Sequence, residues 1–156
     1  MQTITNDTEM RQAIAGLSDP QQRQLAARLV RNVLSLTDDE RVARVLEIAA
    51  DPSAGEEELA SAYRLARTAA IESHARCGAD GEWNDQAGYF VARAAEAAVA
   101  PRPAGRAPGR AWLAAMNARM ARTCLAEEAD QDYHDQERQA QYRIVTEFLS
   151  EANRND

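Results

Sequence analysis

The sequence predicts an all-α protein, a single-domain bundle of six to seven helices spanning residues 1–156. Three observations predict it. Alanine, the strongest helix former, punctuates almost every periodic segment, as in Ala92-Arg93-Ala94-Ala95-Glu96-Ala97-Ala98. β-Branched and aromatic residues are too sparse to supply strands. Helix start and stop signals recur at intervals suited to short antiparallel helices.

The first helix runs from about Asp7 to Leu17, with Met10, Ile14 and Leu17 on one side. Ser18-Asp19-Pro20-Gln21 combines an S-x-x-Q capping box with a proline in the first turn, where its missing N–H costs nothing. The helix that follows carries the stripe Leu25, Leu29, Val33 and Leu36. Thr37-Asp38-Asp39-Glu40 forms a second capping box for a helix with Val42, Val45, Leu46 and Ala49, ending at Asp51-Pro52.

After the turn Ser53-Ala54-Gly55, three glutamates open a fourth helix that ends at Gly78, with the stripe Leu59, Tyr63, Ala66, Ala70, His74 and Cys77. A fifth helix runs from about Asn84 to Ala100. The Pro/Gly/Arg-rich stretch 101–109 cannot be helical and forms the one long loop. Residues 110–152 then form either one helix or two broken near Asp130. Alanine-rich cores depend on close backbone approach, with Trp83, Trp112, Tyr63, Phe90 and Phe148 as anchors. Ala66-Arg67, Ala92-Arg93 and Ala118-Arg119 recur at an offset of 26 residues, shared by Tyr63 and Tyr89. A stacked helical repeat would produce this, but the usual repeat periods are longer and chance in an Ala/Arg-rich chain is the simpler explanation.

All 18 basic residues are arginine, and the net charge of −7 argues against a nucleic-acid binder. The N-terminal residues form no signal-peptide pattern and no apolar stretch would span a bilayer, so a soluble cytoplasmic protein is expected. No P-loop, G-x-G-x-x-G or nucleophile elbow is present, and the chain reads as non-enzymatic with no cofactor.

Three constellations could carry chemistry. Between Glu127 and Glu137 the charges are Glu127, Glu128, Asp130, Asp132, Asp135 and Glu137, with no base among them. Such a run raises local negative potential and suits a basic protein partner, with Tyr133 among the contacts, or else is a solvated helix face. At 100° per residue, Leu113, Met116 and Met120 share a face with Glu127, Asp130, His134 and Glu137. Either the helix breaks, or these acids face inward and need an arginine or a divalent metal, with His134 and Glu137 at i, i+3 able to share an ion. Finally, His74, Cys77, Cys124 and His134 could form a zinc site, though His74 and Cys77 also continue an apolar stripe as core residues.

The stretches Asp39-Glu40-Arg41-Val42-Ala43-Arg44-Val45-Leu46-Glu47-Ile48-Ala49-Ala50-Asp51 and Glu56-Glu57-Glu58-Leu59-Ala60-Ser61-Ala62-Tyr63 resemble an Ala-rich all-helical bacterial group. So do Ala92–Ala98 and Glu137–Leu149, over about half the chain. That group comprises immunity proteins of polymorphic toxin systems. The resemblance implies an all-helical protein that binds and neutralises a partner protein, and it carries over no catalytic residue. Two other functions remain open from the residues: a metal-binding bundle using His134 and its neighbouring carboxylates, and a subunit that self-associates through alanine-rich faces.

Overall fold

The computed structural model describes the backbone of residues 2–80, 83–101, 109–125 and 133–154, and the side chains of the same residues except 77–80 and 83–85. Seven α-helices are present among them: α1 (Asp7–Ala15), α2 (Asp19–Arg31), α3 (Glu40–Ala50), α4 (Glu56–Asp80), α5 (Trp83–Val99), α6 (Arg110–Thr123) and α7 (Tyr133–Arg154). A 3-10 turn, Leu34–Leu36, links α2 to α3. The all-helical reading holds, and no strand occurs among the described residues.

Helix α5 is the centre. It packs most extensively on α4 and α6, and also against α2 and α3, while α7 lies on α6 and α2. Its composition explains the position: Ala87, Val91, Ala92, Ala94, Ala95, Ala98 and Val99 are all buried, and a helix apolar on so many sides belongs inside. Alanines on α4 (Ala62, Ala66, Ala69) and α6 (Ala111, Ala114, Ala115, Ala118) meet it. These alanines lie in the core of the chain.

Most stripes fall as the periodicity places them. Met10, Ile14, Leu25, Leu29, Val33, Val42, Val45, Leu46 and Ala49 are all buried. The Ser18–Gln21 capping box forms in both directions, with Pro20 in the first turn. The second box does not. Asp39, not Thr37, is the N-cap of α3 and accepts from the Arg41 N–H, while Thr37 Oγ1 accepts from the Asp39 N–H. An Asx cap two residues from its donor displaces the longer Thr–Glu pairing. Gly78 does not end α4, which continues to Asp80.

Helix α6 differs from expectation. Leu113 and Met120 point outward at 44% and 45% exposure, and the buried arc is Ala111, Trp112, Ala114, Ala115, Ala118, Arg119 and Ala121. Alanine dominates that arc, which belongs to the helix in most extensive contact with α5, and only Trp112 and Arg119 on it are large. The 26-residue offset is not a stacked repeat: Ala66, Ala92 and Ala118 are all buried, but Arg119 is buried and Arg67 and Arg93 are exposed.

Arginines close the helix ends. Arg23 donates to the carbonyls of Ala49 and Asp51 at the end of α3, at 3.1 and 2.9 Å. Arg110 donates to Ala98 and Ala100 at the end of α5, at 2.9 and 2.8 Å, and pairs with Asp19. Arg122 reaches the Asn32 carbonyl, the C-cap of α2, at 2.8 Å. Each guanidinium satisfies carbonyls left without an intrahelical partner, and its charge matches the negative end of the helix dipole.

Gly109, the N-cap of α6, is required for space. Its backbone is ordinary, with φ −72°, but a Cβ there would meet Gln22 Oε1 at 2.1 Å. Gln22 is buried and donates to the Ile14 carbonyl at 3.1 Å. Gly109→Ala should expel that amide and destabilise the fold by about 1–2 kcal/mol in urea unfolding. A loss under about 0.5 kcal/mol, the range of neutral surface changes, would show that Gln22 swings aside freely.

Candidate functional site

The sequence-predicted site spans the connection between α6 and α7. Glu127, Glu128, Asp130 and Asp132 lie outside the described residues. Helix α6 ends at Thr123 with Cys124 and Leu125 in a turn, so residues 110–152 are not one continuous helix. On α7, Tyr133 is half-buried, His134 is exposed, and Asp135 is half-buried and pairs with Arg138 one turn on.

Glu137 turns inward, with 1% of its side chain exposed. Arg122 Nε donates to its Oε2 at 3.0 Å, and Asn32 Nδ2 approaches both oxygens at 3.0 Å. A buried carboxylate needs a countercharge, and here an arginine supplies it. His134 and Glu137 therefore occupy different environments, one in solvent and one tied to α6 and α2. Among the described residues, no three His, Cys, Asp or Glu gather as a metal cluster.

The candidate zinc residues are likewise dispersed. Cys124 is a buried thiol at the end of α6, whereas His74 is exposed on α4, contrary to its expected core position. The inward positions on α4 are Ala62, Ala66, Ala69, Ala70 and Ser73, so the true stripe passes beside His74. The Cys77 side chain lies outside the described residues.

A cleft of about 720 Å³ opens where the turn before α3 faces α4 and α5. Ser35, Thr37, Asp38, Asp39, Glu40 and Arg41 form one wall, and Ser73, Arg76, Gly88 and Leu125 complete it. Leu125 precedes by two residues the first acid of the run that begins at Glu127. Asp38 and Glu40 are exposed on the rim.

Arg41, one of the two arginines lining the cleft, is held by carboxylates of the chain itself. Arg41 spans Asp39 and Glu72, with 2.7 Å contacts to each. Its hydrogen bonds hold the Asp39 carboxyl below the usual range, and the two carboxylates push the Arg41 guanidinium up. Counting the lining residues, three acids (Asp38, Asp39, Glu40) face two arginines (Arg41, Arg76), and Glu72 lies behind Arg41. The cleft mouth is thus net negative, and its polar walls suit a protein surface better than an apolar small molecule.

Sequence reasoning missed this cleft. The Asp38-Asp39-Glu40 triplet was legible as a helix start, and its second role depends on Arg41 reaching across to Glu72, 31 residues away. Among the described residues no helix is long and apolar enough to cross a membrane. Comparison with protein-family models, with curated proteins and with solved structures finds no match.

Proposed function

We propose that this chain is a non-enzymatic interaction protein that holds a basic partner protein against its acidic surface, in the manner of an immunity protein. One observation carries the reading: acids outnumber arginines in the lining of the cleft, where Asp38, Asp39 and Glu40 gather, and the run Glu127, Glu128, Asp130 and Asp132 follows the cleft residue Leu125 in sequence. Arg23 and Arg119 are buried, and Arg110 and Arg122 are bound to carbonyls and carboxylates. Asp38, Glu40, Glu47, Glu56, Glu57 and Glu58 are exposed.

The formal charge of −7 includes the run Glu127, Glu128, Asp130 and Asp132, its densest stretch of acids. A surface of one sign steers an oppositely charged partner and speeds its association, while a few packed groups such as Tyr133 fix the complex. The work such a surface does is recognition.

Native mass spectrometry of the protein isolated from its source identifies the partner, and stopped-flow association then tests the site. The triple variant Glu127→Ala, Glu128→Ala, Asp132→Ala should associate about tenfold more slowly at low salt, with a flatter salt dependence. An unchanged rate would overturn the proposal. Recovery of stoichiometric metal without a protein would replace it with a metal-binding bundle built on His134 and its neighbours.

A further inference from the structure

A second recess, of about 440 Å³, runs between α4 and α5 and shares no lining residue with the acidic cleft. Its walls carry the same five-residue pattern twice: Tyr63-x-x-Ala66-Arg67 on α4 and Tyr89-x-x-Ala92-Arg93 on α5. In both, the alanine is buried in the helix contact while the tyrosine and arginine line the groove. The 26-residue offset in the sequence thus builds two facing walls.

The His74 and Tyr89 rings lie 5.2 Å apart, which fixes the level of one helix against the other. Seven residues along each helix from that contact stand Arg67 and Glu96, at one height on opposite walls. They form no ion pair with each other. Arg93 lies 6.0 Å from the Tyr89 ring and 3.6 Å from Glu96, balancing that carboxylate without a hydrogen bond. Arg67 has no hydrogen bond or ion pair among the described residues. Glu96 Oε2 is buried and lacks a donor. Ile71 adds an aliphatic surface at 60% exposure.

We propose that this groove binds the C-terminal end of a peptide or protein whose last residue is apolar. Two arginines and one glutamate leave the groove with one net positive charge, which suits a single carboxylate better than a phosphate dianion or a neutral zwitterion. The terminal carboxylate lies on Arg67, whose planar fork accepts it through paired N–H donors. The last backbone N–H donates to the accessible oxygen of the Glu96 carboxylate, whose buried Oε2 stays beside Arg93. The terminal side chain rests against Tyr63, Ile71 and Tyr89. Capture of a terminal carboxylate is a recurring mode of peptide recognition. The proposal is independent of the acidic cleft and its basic partner.

Calorimetric titration of the full chain tests it with three probes: acetyl-Gly-Gly-Phe as the free acid, the same peptide as its C-terminal amide, and free phenylalanine. The free acid should bind, and the amide should bind at least about tenfold more weakly, the worth of one charge-assisted contact. Arg67→Gln should reduce free-acid binding by about tenfold with an unchanged melting temperature, since Arg67 holds nothing else in place. Ile71→Asp, at an exposed position, should abolish binding of the same peptide. Equal binding of acid and amide overturns the proposal, as does no binding of the acid at a few millimolar, roughly the weakest affinity such a contact set would give. Free phenylalanine binding as tightly as the peptide also overturns it, in favour of a free amino acid.

Discussion

Replacing Arg119 with methionine should be the most damaging single change outside the apolar core. The guanidinium, 4% exposed on α6, joins three elements. It pairs with Asp7 of α1 at 2.8 Å and donates to Gln141 Oε1 of α7 at 2.8 Å, and it lies 5.8 Å from the Trp112 ring. Tyr142 OH donates to the same Asp7 oxygen. Gln141 is wholly buried and also donates to the Ala115 carbonyl, so methionine would leave its oxygen without a donor. Asp7 is 42% exposed and returns to water, which limits the loss on that side. The expected cost is about 3 kcal/mol in urea unfolding, or roughly 10 °C in melting temperature. Arg119→Lys should rescue little, since one ammonium cannot serve both Gln141 and the Asp7 fork.

The same network sets an acid limit. Hydrogen bonding from Arg119, opposed by burial and aided by Tyr142, lowers the Asp7 pKa to about 2. A depressed carboxyl stabilises the fold fully above its unfolded pKa near 4, and that contribution is lost as pH falls through about 2. After discounting for solvent at this half-exposed group, the contribution is about 1 kcal/mol. In Arg119→Met the slope of stability between about pH 4 and 2 should flatten by that amount. A wild-type slope in the variant would assign the acid sensitivity to other carboxylates.

Glu137→Ala carries the second large effect. It removes the countercharge of Arg122 and both partners of the Asn32 amide, at a point where α2, α6 and α7 meet. Arg122 keeps its bond to the Asn32 carbonyl and is a quarter exposed, so its charge is not stranded. A loss of about 2–4 kcal/mol is expected, against less than about 0.5 kcal/mol for His134→Ala. Comparable small losses from both substitutions would show that Glu137 is not a structural partner of α2 and α6.

Much of the architecture was written in local signals. Ser18 and Gln21 marked the start of α2, and the buried stripes of α1, α2 and α3 followed the helical period. The break between α6 and α7 was one of the two arrangements the inward-facing acids allowed. Glu137 shows why both were half right: the helix breaks, and one acid still turns inward, met by Arg122. The face of α6 was misjudged because periodicity ranks Leu113 and Met120 above alanine, whereas the buried arc is built mostly of alanines with Trp112 and Arg119. The buried arginines left no linear signal. The partners of Arg23 lie 26 and 28 residues away, and Asp7 lies 112 residues from Arg119. The cleft at Asp38–Arg41 was hidden for the same reason, and the α4–α5 groove surfaced only as an unexplained offset.

The guanidinium closures at the ends of α2, α3 and α5 also bear on how the chain comes apart. A helix closed by a glycine motif carries its own stop signal and can form alone. Here the closing groups for α3 and α5 come from α2 and α6, and that for α2 comes from α6. The last turns are complete only when their neighbours are in place, so they cannot fray at small cost while the rest stays folded. That arrangement ties α2, α3, α5 and α6 into one cooperative unit, in which opening one of these three ends reports on its neighbours.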